Sequence, residues 1–354
     1  MRVLLPPSTA MHVVDACAHT EQIHMPKNKY YAGAPSDHFD GLLFFNLDHL
    51  DTDRSLAEVL RWKFKETAAR WPTSVPGRQV VPDERVAGLR VTMIGHATVL
   101  IQSASLNVLT DPVWSQRTSP VSFAGPRRVM APGIAFDDLP PIDVVLLSHN
   151  HYDHLDMPTL RKLHQAYKPL IVTPLGNDTI VRKAIPDARI ATGDWWDQLA
   201  LPGDATATIV PAYHWSARGV GDRRMALWSG FMLRTPAGLV YFSGDTSYSS
   251  GHIFREMRER IGSPDIALIP IGAYAPRWFM CNQHINPEEA VRIVEDLNAK
   301  QAMGIHWGVF QLTDEAREEP VELLREAMHQ RHLDPGRFVA AEPGDVMEQT
   351  SIRD

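Results

Sequence analysis

Apolar positions keep no steady rhythm in the first part of the chain until Ser55. From there Leu56, Val59, Leu60, Phe64 and Thr67 recur at helical spacing, which predicts one amphipathic helix over 55–70. Ser55 and Glu58 form an S-x-x-E capping box at its start. The stripe is expected to dock on the protein's own core. From Leu89 the rhythm changes to short runs at 89–94, 98–102 and 107–110, read as consecutive antiparallel strands. A buried strand follows at 142–147 and a helix at 157–167. Beyond them, strands near 170–173, 207–211, 228–234, 239–243, 266–271 and 302–305 are expected, with helices near 178–184, 253–261, 287–298 and 320–330. Several strand runs are apolar almost throughout, as in sheets covered on both faces. The pattern predicts an α/β sandwich of mixed sheets over 89–354, with residues 1–88 as an N-terminal extension packed on it.

Composition narrows the class. The 354 residues are 44% hydrophobic and 22% charged, as in a soluble globular protein. Net charge is 35 − 42 = −7, and no basic patch interleaved with aromatics appears, so no nucleic-acid partner is expected. No apolar stretch approaches the roughly 20 residues that span a bilayer. The N-terminus carries one arginine and an apolar patch broken by Pro6 and Pro7, a poor secretion signal, and a cytoplasmic protein is expected. Cys17 and Cys281 are too few for a disulfide framework and read as reduced thiols.

The 142–147 run leads directly into Ser148-His149-Asn150-His151-Tyr152-Asp153-His154-Leu155-Asp156, with a helix after it. Three histidines and an aspartate thus meet on a strand-to-helix loop, in an H-x-H-x-D-H pattern. Neutral imidazoles and carboxylates suit zinc and neighbouring divalent metals, and four such groups can be divided between two ions. Three later strand ends offer His214, Asp245 and His306. Each alone reads as a hydrogen-bonded strand end. Together with the cluster they make seven ligand groups, about what a two-metal site with one shared carboxylate uses. Asp111 and His96 end strands where they would orient ligating imidazoles. Asp156 and Asp194 read equally well as helix-capping or turn residues.

This order of groups resembles the metallo-β-lactamase superfamily, whose fold is an αββα sandwich with the metal centre at one edge of two sheets. GHATVLI (95–101), LTDPVWSQRTSP (109–120), GPRR (125–128), GDWWD (193–197), IPIGAYAPRWFM (269–280), QHINPEEAVRI (283–293) and GIHWGVFQL (304–312) are similar to one branch of it. That branch holds the N-acyl-phosphatidylethanolamine-hydrolysing phospholipases D and their bacterial relatives, and the likeness covers about 89–345. It implies His149, His151 and His214 on one zinc, Asp153, His154 and His306 on a second, and Asp245 bridging; manganese or iron suits the same donors. It also implies that His284 lies beside the substrate; its bare sequence context reads as a helix flank. Arg277, Trp278 and Phe279 would line the pocket, the arginine facing a phosphate. Ser247 departs from the branch, which commonly has glycine in Gly-Asp-Thr-Gly-Tyr, and an altered loop is expected there.

The implied activity is attack on a phosphodiester by a hydroxide held between the metals, with Asp245 and Asp153 fixing the centre and His284 orienting the phosphate or protonating the leaving oxygen. On the branch's lipid the products are phosphatidic acid and an N-acylethanolamine. A metal-dependent lactonase or other ester hydrolase is the alternative, and a non-catalytic metal-stabilised module a third reading. The expected partner is a phospholipid or other phosphodiester, with peripheral membrane contact through the 42–45 apolar patch or the 55–70 helix; a homodimer stays open.

Overall fold

The computed structural model describes residues 27–49 and 51–349. The N-terminal signal reading and Cys17 lie outside the described residues; Cys281 is a free, half-buried thiol.

Strand direction decides where this chain can gather chemistry. One seven-stranded sheet runs in the order β14 (Val346–Gln349), β1 (Leu89–Gly95), β2 (Thr98–Ser103), β3 (Leu106–Thr110), β4 (Val144–Leu146), β5 (Leu170–Pro174), β6 (Ile190–Gly193). The other runs β13 (Phe338–Ala340), β12 (Gln301–Ile305), β11 (Ile266–Pro270), β10 (Gly238–Phe242), β9 (Gly230–Thr235), β8 (Thr206–Val210), β7 (Gln198–Ala200). In the first sheet β1, β2 and β3 pair antiparallel and β3 to β6 parallel. In the second, β7 to β10 pair antiparallel and β10 to β13 parallel. So β1, β3 and β4 end at one edge of their sheet, as β8, β10 and β12 do in theirs.

Side-chain alternation builds the layers. Val144, Leu146, Val240 and Phe242 fill the space between the sheets. Val145 and Leu147 face α2 (Met157–Tyr167) and α3 (Asn177–Ala184). Leu239 and Tyr241 face α4 (His252–Ile261), α6 (Pro287–Asp296) and α7 (Glu319–Gln330). The result is an αββα sandwich of two mixed sheets: the sequence pattern predicts the sandwich of mixed sheets, and the family resemblance implies its αββα layering. Strands β6, β7, β13 and β14 are not foreseen; each has three or four residues and lies toward a sheet edge, too short to establish a period.

The extension divides in two. Phe39 and Phe44, 1% and 0% exposed, enter the core between the sheets. Helix α1 (Leu56–Lys65) starts at the expected capping box, with Ser55 and Glu58 bonded reciprocally. It ends five residues before the expected Arg70, because the Ala69 backbone is drawn out to Asp314 and Gln311. Its stripe does not dock on the core as expected: Leu56 and Phe64 are 74% and 82% exposed, and no α1 residue is fully buried. The face carrying Trp62 docks instead. That ring lies 4.8 Å from Phe279 on the short helix α5 (Arg277–Met280), and its Nε1 donates to Asp314 at 2.5 Å. Tryptophan supplies both apolar area and a hydrogen bond, so it wins the interior face. Among the described residues, no helix is long and apolar enough to cross a membrane.

Candidate metal centre

Every candidate ligand emerges at the same edge of the sandwich. His149, His151, Asp153 and His154 occupy the loop after β4; His214, Asp245 and His306 follow β8, β10 and β12. One group places His149, His151, His214 and Asp245 with ligand atoms within 4.8 Å of one another. A second places His96, Asp153, His154 and His306 equally close. Asp245 spans the two, with Oδ2 3.2 Å from His154 Nε2 and Oδ1 3.2 Å from His306 Nε2.

Outer contacts fix the imidazoles. The Gln283 carbonyl can only accept, so His214 Nδ1, at 2.9 Å, carries its proton there and turns Nε2 inward. His154 Nδ1 faces Asp111 Oδ2 at 2.6 Å, and Asp111 also accepts from the Ser148 amide at 2.7 Å. Asp111 thus orients a ligating imidazole and pins the loop that bears it. Three residues at the site take left-handed backbone: His96, Asp111 and His306 have φ of 59°, 30° and 61°, uncommon for residues with a side chain. Gly244, φ 57°, is required before Asp245, since a Cβ would lie 2.7 Å from that of Ser148.

The donors fit a cation. His151 Nδ1 lies 2.9 Å from His149 Nε2 and 3.2 Å from His214 Nε2, and His154 Nε2 lies 3.2 Å from His306 Nε2. Nitrogens this close set lone pairs against each other unless a proton or metal ion comes between them. Asp245 Oδ1 is buried without a hydrogen-bond partner. Burial alone would raise the Asp245 carboxyl, but the imidazoles of His154 and His306 outweigh it and hold it well below the usual range. Burial, followed by neighbouring imidazoles, drives His149 well below its ordinary value. His154 goes the other way. Burial lowers it, yet Asp245, Asp153 and Asp111 outweigh burial and hold it well above. The carboxylates call for positive charge at this point.

His96 bonds a ligand carboxylate, where the sequence reading has it orient an imidazole. Its Nε2 is 2.9 Å from Asp153 Oδ2, the oxygen that also faces His154 and His306, and its ring lies 3.9 Å from that of His306. His284 stands over the site, Nδ1 buried and unpartnered at 3.9 Å from Asp245 Oδ2. Arg277 does not face the site as expected: Glu289 takes it through two 2.9 Å bonds, and it donates to the His284 carbonyl at 2.8 Å. It therefore steadies His284, while Trp278 and Phe279 meet α1. Asp156 accepts from Ser115 and Thr159, tying a loop to α2, and Asp194 accepts from His38 at 2.7 Å. Ser247 is not among the left-handed residues, and its loop forms without glycine at that position.

Asn46 and Trp215 escaped sequence reading. Asn46 bonds both the amide and the carbonyl of His214, each at 3.0 Å. Trp215 covers His151 at 4.3 Å and donates to Gln283 at 2.5 Å. A lone asparagine carries no spacing signal; Trp215, adjacent to a candidate ligand, does. Beside the loop a 370 Å³ cleft is lined by Arg117, Tyr152 and Arg218 among others.

A family model described as the beta-lactamase superfamily domain matches residues 106–307. The chain is 36% identical over 289 residues to N-acyl-phosphatidylethanolamine-hydrolyzing phospholipase D 1 of Caenorhabditis elegans, covering 78% of this chain and 81% of that one. It is 33% identical over 238 residues to the mitochondrial enzyme of that name from Saccharomyces cerevisiae, covering 66% and 50%. The solved isothiocyanate hydrolase from Delia radicum gut bacteria superposes with a TM-score of 0.58 at 22% identity, over 73% of this chain and 99% of that one. Fold, donor set and relatives agree: the chain belongs to the metallo-β-lactamase superfamily as a metal-dependent hydrolase, on the branch that holds the worm and yeast phospholipases D.

Proposed function

We propose that this chain is a phosphodiesterase of the phospholipase D type, hydrolysing N-acyl-phosphatidylethanolamine to an N-acylethanolamine and phosphatidic acid. The observation that carries the reading is its 36% identity to a worm relative named for that reaction, over most of both chains. Two ligand groups, with Asp245 in the first and 3.2 Å from His154 and His306 of the second, support two divalent ions, zinc first, with manganese or iron suited to the same donors. Such ions would supply Lewis acidity to a phosphoryl oxygen and lower the pKa of a water to about 7.

The chain's own residues do the rest. Asp245 and Asp153 supply the negative charge that holds both ligand groups together. His284 has an unspent ring nitrogen over the site and a backbone fixed by Arg277, which suits it to hydrogen-bond a phosphate oxygen. Arg117 and Arg218 bring positive charge beside the histidine loop, favouring an anionic substrate. Trp215 shields one flank of His151 from water.

The test gives zinc-loaded protein bis-p-nitrophenyl phosphate and N-acyl-phosphatidylethanolamine side by side. Cleavage of the lipid, abolished by chelator and reduced at least tenfold in His284→Ala, is the expected result. Cleavage of the generic diester alone would discard the lipid and keep the chemistry. Silence on both with metal bound would overturn the phosphodiesterase reading and favour acyl hydrolysis.

A further inference from the structure

We propose that Arg128 tunes the charge of the metal centre: its buried guanidinium, set behind the second ligand group, favours an anion there and opposes the cations. Arg128 is 5% exposed. Among the described residues its side chain bonds only backbone oxygens, Nη2 donating to Val113 at 2.8 Å and Nε to Ser115 at 3.4 Å. Nη1 is buried with no partner at all. Arginine is seldom hidden without an ion pair, because nothing else offsets the desolvation of its charge. Burial pushes its pKa down to about 10, so the charge is kept at neutral pH.

The contacts of this cation lead to the ligands. Its guanidinium lies over the Phe310 ring at 4.7 Å, and that ring meets His96 edge-on at 5.3 Å. The charge therefore sits within about 10 Å of the His96 imidazole, which bonds Asp153. Nη1 abuts Gly95, the residue before His96, where a Cβ would lie 3.2 Å from it. Backbone pairing holds the arrangement: Arg128 bridges Phe310, and the Val129 amide donates to the Val309 carbonyl at 2.9 Å. Phe310 belongs to the segment that follows His306, so ligand and cation are fixed to each other. Asp156 acts on Arg128 from farther off, its oxygens taken by Ser115 and Thr159, and offsets part of the charge. What remains crosses protein interior, where salt screens little. At about 10 Å and an effective dielectric constant of about 20, one unit charge shifts the binding of another roughly tenfold. Such a cation loosens the hold on metal ions and strengthens that on a phosphate and on negative charge developing there.

The inference rests on the metal centre and not on the lipid assigned to it, because the probes are cobalt ion and inorganic phosphate. A charge role moves the two affinities in opposite directions, whereas loss of packing weakens both. Arg128→Met keeps part of the stem and removes the charge. It should bind cobalt about threefold more tightly or better, measured by competition with a chelator. It should bind phosphate at least about threefold more weakly, followed by the d–d absorption of the cobalt-loaded protein. Arg128→Lys keeps the charge and should stay within about twofold of the wild type for both ligands. Thermal melts of both variants read the packing cost separately. Weaker binding of both ligands in Arg128→Met would make Arg128 a packing residue and overturn the inference. Unchanged binding of both would overturn it too, as would an Arg128→Lys protein that behaves like Arg128→Met.

Discussion

At the metal centre, imidazoles and carboxylates are buried side by side; on α1, three large apolar side chains stand in water. Each region reverses what folding alone would select. Burying Asp245 among histidines costs desolvation that only paired charge or a cation offsets. Exposing Leu56 and Phe64 forgoes about 1.5–3 kcal/mol apiece that burial would contribute. The difference lies in support. Asp111, Gln283 and Asn46 hold the ligand side chains and backbone from behind, whereas no residue of α1 is fully buried among the described residues. Departures from folding rules gather where a protein meets other molecules. Here one region has the geometry to receive an ion, and the other keeps an apolar row at the surface.

The two regions should fail independently. Asp245→Ala should lose bound metal and activity together, by more than the roughly 100-fold that an outer partner costs. His96→Ala should fall within about 10- to 100-fold in metal affinity, read from the d–d absorption of the cobalt-substituted protein. Leu56→Gln on α1 should leave metal content and activity unchanged. Full metal content in Asp245→Ala would break the ligand assignment.

A second contrast, within the extension, should follow in size. Phe44→Ala empties a fully buried site between the sheets and should cost about 3–5 kcal/mol in denaturant unfolding. Phe64→Ala should stay within about 0.5 kcal/mol. Equal losses would mean that α1 is packed in solution after all.

The smallest effect concerns the clamp at His38, whose ring nitrogens lie 2.6 Å from Asp37 and 2.7 Å from Asp194. Burial opposes its charge, but the hydrogen bonds it donates to Asp194 and Asp37 outweigh burial and raise it above its ordinary 6.5. A group raised in the folded state gives its full stabilisation below the unfolded value and loses it as pH rises through the folded one. From pH 6 to pH 9 the wild-type Tm should therefore fall further than that of His38→Gln, by about 2 °C or more. Parallel curves would remove His38 from the clamp.

What the sequence made legible depended on how local each signal was. The 148–156 loop gathers four ligand groups within six residues, and the strand before it says which way they point. Burial on both faces made the sandwich readable from runs such as 144–147. The fate of the α1 stripe was not readable, because periodicity defines a face without saying what covers it. Trp62, off that stripe, decided the docking through one ring contact and one hydrogen bond. Arg277 looked like a phosphate ligand until Glu289, twelve residues on, took its guanidinium. Asn46 reaches His214 across 168 residues, a distance at which no spacing rule operates.

Because the ligand loop belongs to the first sheet and His214, Asp245 and His306 to the second, a bound ion would act as a cross-link holding the two halves of the sandwich together. Prying the sheets apart would then require releasing it. Amides of β3 to β5 and β10 to β12 should exchange with solvent as one cooperative unit, slowed by the factor 1 + [metal]/Kd when exchange requires the ion to leave. The catalytic ion would thereby set the lifetime of the fold, and a cell short of metal would lose the protein by unfolding as well as by inactivity.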